Sequence, residues 1–310
     1  MSWYSFMKLL PKIKTGIIYF LALFGALFIA DQPTLSASDE LYCAIVNPDI
    51  GTPEVVRTAF KPLFEYLSKK VKRKIIVVIR PSVQKTVEEL KAGKIDFGYT
   101  GIVDYFKMGA QFPIKPALTF VKWGKNSYTA CFTVRSSDRN LTLKDFKGRR
   151  LGYTSFHKTF GGIYPQILLT EQGVKSSFKE YFSHVKAYYS DVSSLQDLLT
   201  QKIDVCVVSL STLKVLKNSS PWLVKGIVIL YKQEGLMFAP IFYRADMDEK
   251  IREGLISGTI EFFKTTRGDQ LMMMFKINGV QRVTDEEYEP DRQRALKLGY
   301  IPGKTDPKTP

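Results

Sequence analysis

Apolar positions along residues 41–300 follow two alternating rhythms. Short runs rich in β-branched and aromatic residues, such as "YCAIV" (42–46), "IIVVI" (75–79) and "DFGYT" (96–100), are separated by stretches with helical spacing. Between the first two runs, Val55, Val56, Phe60, Leu63, Phe64 and Leu67 share one face of a helix predicted from Pro53 to about Val71. "SVQKTVEELKA" (82–92) predicts a second helix, and residues near 102–110 a third. Strand and helix in this alternation predict a largely parallel sheet with helices on both sides.

"KPALTFVKW" (115–123) and "SYTACFTVR" (127–135) read as two more strands around Gly124-Lys125-Asn126. In "LTLKDFKGRRLGYT" (141–154), Thr142 and Asp145 have capping-box spacing, and Gly148 ends the short helix before the strand "RLGYT". A second series follows: helix 160–172, a strand near 184–189, helix 191–201 and the strand "DVCVVS" (204–209). "VKGIVILY" (224–231) and "LMFAPIFYR" (236–244) are read as strands, with helices at about 246–264, 267–275 and 284–297. The pattern predicts two α/β units, the first completed by the C-terminal helices, with extended crossings near 127–135 and 226–242. Such a body holds its ligand cleft between the units. One continuous α/β domain fits the same periodicity.

The first forty residues differ in kind. Lys8, Lys12 and Lys14 precede the uncharged run "GIIYFLALFGALFIA" (16–30), and the polar, small "DQPTLSASDE" follows. Basic, apolar, small is the order of a secretory leader, with cleavage expected near Ala37 or Ser38. An uncleaved anchor is the alternative, although the run is short for a bilayer span. No lipobox precedes Cys43. The last ten residues, rich in Pro, Lys and Asp, read as a flexible tail.

The formal net charge of +15 favours anionic partners. Export removes nucleic acid from that class, and the densest basic run, "KKVKRK" (69–74), reads as a solvated helix end entering a strand. Cys43, Cys131 and Cys206 each lie in an apolar run and are expected to be buried strand thiols. Their odd number is no complete disulfide framework. His157 and His184 lack a companion at ligand spacing, so no metal site is expected, and no cofactor. Gly-x-Ser-x-Gly, His-Glu-x-x-His and Walker A signatures are absent from the sequence, and no enzyme is expected.

Candidate binding chemistry gathers where strands run into helices. In "SFHKTFGGIYPQ" (155–166), His157, Lys158, Thr159 and Gly161 precede a helix with Pro165 in its first turn. Free N–H groups and the helix dipole favour an anion there, Gly161 and Gly162 admit close approach, and Lys158 adds a charge. The same residues also suit a plain helix cap. "DFGYTGIVDYF" (96–106) brings Tyr99, Thr100, Gly101 and Tyr105 to the carboxyl edge of the first sheet, where open α/β sheets bind ligands. For Tyr105 a core position is the alternative. In "YSDVSSLQDLLTQ" (189–201), Ser190 or Asp191 caps a helix. Facing a cleft, Asp191 would repel an anion and attract an ammonium group or a hydroxyl donor.

From about residue 41 to 298 the chain resembles the phosphonate-binding PhnD-like family of periplasmic substrate-binding proteins, which serve ABC importers. Four segments carry the resemblance: "DFGYTGIVDY", "SYTACFTVRSSDRNLTLKDFKGRRLGY", "KTFGGIYPQILLTEQGV" and "SDVSSLQDLLTQKIDVCVV". It implies a two-lobed α/β type II periplasmic-binding-protein fold, each lobe a mostly parallel sheet flanked by helices, joined by two crossover strands. The expected organisation is a signal peptide at 1–37, lobe 1 from 38–126 plus 235–300, lobe 2 from 127–234, and a tail at 301–310. It further implies reversible, hinge-closing capture of a phosphonate, phosphate, phosphite or related oxyanion. The protein would be a periplasmic monomer that hands its ligand to an ABC permease, with no nucleic-acid partner.

Carried over residue by residue, the family's Ser-Thr-Ser turn falls on Lys158, Thr159 and Phe160, and only Thr159 is kept. Its histidine falls on Asp191, the proline after the first-lobe glycine on Ile102, and the late helix glycine on Gln201. The expected site therefore has Tyr99, Thr100, Gly101 and Tyr105 on one wall, and His157, Lys158, Thr159, Gly161 and Asp191 on the other. An amine-bearing or neutral ligand, which a free Asp191 would suit, stays open at this point. So does a sensor acting on a membrane signalling partner. An enzyme on this fold needs a reactive His or Cys constellation that the sequence does not display.

Overall fold

The computed structural model describes residues 39–46, 53–154, 163–188, 190–275 and 277–301. The first series runs β1 (Glu40–Val46), α1 (Pro53–Val71), β2 (Lys74–Arg80), α2 (Val83–Lys91), β3 (Phe97–Tyr99), α3 (Ile102–Gly109) and β4 (Ile114–Val121). Local chemistry sets these bounds. Glu54 in the first turn of α1 and Lys69 and Lys70 in its last complement the helix dipole. The Ser82 hydroxyl accepts the Lys85 N–H to start α2.

The second series comprises β5 (Ser127–Arg135), β6 (Arg150–Thr154), α4 (Tyr164–Glu171), α5 (Phe178–Tyr181), β7 (His184–Tyr188), α6 (Asp191–Leu199), β8 (Val205–Ser209), α7 (Leu210–Ser219), α8 (Pro221–Lys225) and β9 (Ile227–Met237). Between β5 and β6, a 3-10 turn at Leu143–Phe146 carries the Thr142–Asp145 capping box, and Gly148 (φ +75°) follows it. The chain then returns through β10 (Pro240–Arg244), α9 (Glu249–Phe262), α10 (Thr266–Phe275), β11 (Gly279–Arg282) and α11 (Glu289–Lys297).

The strands form two sheets, ordered β11-β4-β10-β3-β1-β2 and β7-β6-β8-β5-β9. Parallel pairing is confined to β1 with β2 and β3, and to β6 with β7 and β8. The other pairings are antiparallel. The parallel part is narrower than the alternation of elements predicts. The reason is that the strands that leave each sheet and those that return lie side by side, β4 against β10 and β5 against β9, and necessarily run in opposite directions.

Alternating side chains bury both faces of each sheet. In the first sheet Leu41, Cys43 and Phe97 meet Leu63, Leu67 and Phe262, while Ala44 and Val46 meet Val87, Leu90 and Ile102. In the second, Cys131 and Cys206 pack with Leu195 and Leu198, while Phe132 and Leu151 face Phe146 and Tyr164. All three cysteines are buried strand thiols, and burial pushes each thiol well up from its ordinary range.

Some elements depart from the sequence pattern. The second crossing does not break around Gly235. β9 continues to Met237, because Gly235 (φ +68°) lies at a register shift in which Tyr128 pairs with Leu236 and Ala130 with Gln233. The break falls at Phe238–Ala239. Helices α7 and α8 and strand β11 are additions, each too short or too polar to give a periodic signal. Helix α4 begins at Tyr164. Val55, assigned to the apolar face of α1, is 51% exposed. Among the described residues no helix is long and apolar enough to cross a membrane. The leader expected at 1–37 lies outside the described residues, as does the expected tail at 301–310 apart from Ile301.

Candidate functional site

Two strand-to-helix junctions at carboxyl edges form the candidate site. The first begins at β3, where a Cβ on Gly98 would stand 2.2 Å from Ala44 O and 2.9 Å from Phe242 Cζ. Only glycine lets β3 sit in register between β1 and β10 there. Just before it, the Asp96 carboxylate accepts the Tyr42 N–H at 2.7 Å and ties β3 to the start of β1. Burial raises the Asp96 pKa from its ordinary value, against the pull of that hydrogen bond.

Thr100 follows β3 and Gly101 is the N-cap of α3, with no side chain capping the helix. The Thr100 side chain is fully buried, and its Oγ1 has no hydrogen-bond partner. A buried hydroxyl left so costs roughly 1–3 kcal/mol. It stands beside a helix N-terminus, whose first N–H groups have no acceptor within the helix. Tyr99 is half-buried, its ring edge-on to Phe120 at 5.5 Å. Tyr105 faces elsewhere: it is 2% exposed, and its hydroxyl donates to Asp285 Oδ1 at 3.2 Å. Burial raises the phenol's pKa.

The second junction is built around Asp191, the first residue of α6. One carboxylate oxygen accepts the Thr154 hydroxyl at the end of β6. The other accepts the Ser209 N–H at 3.1 Å, at the end of β8. One side chain thereby gathers two strand ends and a helix start. Ser190 caps α6 by accepting the Ser193 N–H at 3.2 Å. Gly152 sits in β6 as Gly98 does in β3: a Cβ there would meet Ile203 Cδ1 at 2.5 Å and Tyr188 Cε2 at 2.9 Å. His157, Lys158, Thr159 and Gly161 lie outside the described residues, in the segment of sequence between β6 and α4.

The structure thus brings Tyr99, Thr100 and Gly101 to one strand end, turns Tyr105 into the core, and occupies both oxygens of Asp191. Sequence reasoning missed Thr154 and Ser209, the partners that occupy Asp191. Both are strand-terminal hydroxyl residues, which is the one signal that marks them.

This arrangement is a two-lobed type II periplasmic-binding-protein fold. The family model described as "ABC transporter, phosphonate, periplasmic substrate-binding protein" matches residues 48–288, and the chain belongs to that family. It is similar to the phosphate-import protein PhnD of Mycolicibacterium smegmatis, 27% identical over 129 residues. That match spans 40% of each chain. Among solved structures, XAC2383 of Xanthomonas citri bound to ATP has a TM-score of 0.63 at 14% identity, covering 84% of this chain and 98% of that one. PhnD1 of Prochlorococcus marinus in complex with methylphosphonate has a TM-score of 0.60 at 16% identity, covering 85% and 99%. These structural likenesses carry the fold. The family is one of substrate-binding proteins and not of enzymes.

Proposed function

We propose that this protein binds a small oxyanion of the phosphonate or phosphate class in the cleft between its lobes and delivers it to an ABC permease after export. One observation carries the reading: the buried, unpartnered Thr100 hydroxyl beside the uncapped N-terminus of α3. Neutral donors and a helix N-terminus fixed in advance are the chemistry that holds an anion while excluding water. Thr100 and Gly101 form one wall, with Tyr99 beside them. His157, Lys158, Thr159 and Gly161, which the sequence reading assigns to the other wall, would complete the site, with Lys158 supplying a full positive charge.

Asp191 acts in this reading by shaping the wall. Each of its oxygens accepts one neutral donor, Thr154 Oγ1 and Ser209 N, which fixes the carboxylate's orientation and spends half of its acceptor capacity within the lobe. That makes a purely structural role for Asp191 the reading the amine arm of the test below is set against.

The test is thermal melting of the protein against phosphate, phosphite, methylphosphonate, aminoethylphosphonate, alkylsulfonates and small amines. A ligand that binds the native state alone raises Tm by mass action, by about 2.7 kcal/mol of added stability at a hundred times its Kd. Phosphate, phosphite or methylphosphonate is expected to give the largest rise. A rise with amines and none with those anions contradicts the reading.

A further inference from the structure

The second passage between the lobes is held by residues far along the chain. Met237 N donates to Asp291 Oδ2 at 2.8 Å, and the Tyr288 hydroxyl donates to Phe238 O at 3.0 Å. From β4, the Thr119 hydroxyl donates to Ala239 O at 3.1 Å. The two crossings are also bonded together, since Phe238 N donates to Asn126 O at 3.0 Å. Asn126 in turn donates from Nδ2 to Glu287 Oε1 at 3.2 Å. Asp291 is 1% exposed, and its second oxygen takes Arg294 Nη1 at 2.6 Å.

These bonds have a common geometry. β11 pairs with β4, which roots the C-terminal segment in the first sheet. Its bonds end on Met237 and Phe238, where β9 of the second sheet gives way to β10 of the first. A buried carboxylate on a backbone N–H is among the stronger hydrogen bonds. Here it restrains the φ/ψ freedom that a hinge residue needs.

We propose that residues 284–294 are a third hinge element, which sets the angle between the lobes and through it the affinity for ligand. Asp291 and Tyr288 are its positioning residues, acting from outside the cleft. The claim on affinity rests on the binding function proposed above. Releasing the clamp spreads the protein over more inter-lobe angles. The closure-competent fraction then falls, and the apparent Kd rises in proportion.

The experiment uses the full chain with Asp291→Asn and Tyr288→Phe, and Lys297→Ala on the exposed face of α11 as control. Inorganic phosphate and methylphosphonate are titrated calorimetrically, and amide exchange is followed at Met237 and Phe238. Each of the two variants is expected to raise Kd by about three- to ten-fold and to speed exchange at those amides, with Lys297→Ala unchanged. A lowered Tm with Kd and exchange both at wild-type values makes the contacts merely structural and overturns the proposal. If the unaltered protein binds neither anion, the oxyanion reading fails instead. Exchange at Met237 and Phe238, together with inter-lobe separation from solution scattering, then still decides whether the segment governs the hinge. Tyr288→Phe removes a single hydroxyl, so the test survives if Asp291→Asn does not fold.

Discussion

The two junctions assigned to the proposed cleft have the same plan and opposite hydrogen-bond outcomes. Each has a strand with a closely packed glycine followed by a tyrosine, then a threonine at the strand end: "FGYT" around Gly98 and "LGYT" around Gly152. In the second lobe the threonine is consumed. Thr154 donates to Asp191, Asp191 also holds Ser209 N, and the polar groups close on one another. In the first lobe Thr100 finds no partner. Buried polar groups are nearly always paired, and this orphan at a sheet's carboxyl edge is where the proposed ligand would bond; in the second lobe the Tyr164 hydroxyl at the start of α4 is likewise buried without a partner. One junction holds its lobe together, and the other keeps an unsatisfied hydroxyl that the proposed ligand would fill.

Substitutions separate the two roles. The largest effect is expected from Gly98→Ala, because its new Cβ meets backbone, Ala44 O, which cannot swing away. A loss of about 3 kcal/mol or more in denaturant unfolding is expected, the upper range for overpacking. Gly152→Ala meets only side-chain ends and is expected to cost less, about 1–3 kcal/mol. Equal costs would contradict the distinction. Next comes Asp191→Ala, which strips Thr154 and the Ser209 N–H of their acceptor. A loss of about 2–3 kcal/mol in stability is expected, from two partly buried donors left without an acceptor. If stability holds and only ligand affinity changes, Asp191 belongs to the ligand instead.

A smaller effect separates one partly buried carboxylate contact of each lobe by pH. Hydrogen bonding to Arg150 holds the Asp204 carboxyl down to about 2, against the desolvation of its partly buried site. A depressed folded-state pKa contributes stability that is present above the unfolded value near 4 and is lost as pH falls toward 2. In the first lobe, burial raises Asp96 instead, so its protonation favours the folded state on acidification. The Asp204 contact should therefore loosen between about pH 4 and 2 while the Asp96 contact does not, read as a larger acid-induced gain in amide exchange at Arg150 than at Tyr42. The same exchange in Asp204→Asn should depend less on pH across that window.

Much of this was legible in the sequence. Strand and helix alternation gave both series, the Thr142–Asp145 box its turn, and "DFGYTGIVDYF" the junction at Thr100. Contacts across long stretches of chain were not legible. Asp191 looked like a free carboxylate because Thr154 is 37 residues before it and Ser209 is 18 after. Tyr105 looked equally suited to cleft or core until Asp285, 180 residues on, fixed its hydroxyl. "EEYEPDRQRA" (286–295) falls in the helix expected at about 284–297, and nothing local marks Asp291 as a buried group. Local rules report caps and periods. Only tertiary pairing reveals which polar side chains are already occupied.

The central claim is that the Thr100 hydroxyl is kept for an anion. Its most direct test is calorimetric titration of methylphosphonate and phosphate into the unaltered protein and Thr100→Val, with the melting temperature of each recorded without ligand. Valine keeps the shape and removes the orphan. The account predicts an unchanged or higher Tm, and an affinity weakened by about five- to ten-fold, one neutral hydrogen bond's worth. Equal affinity in the two proteins would contradict it.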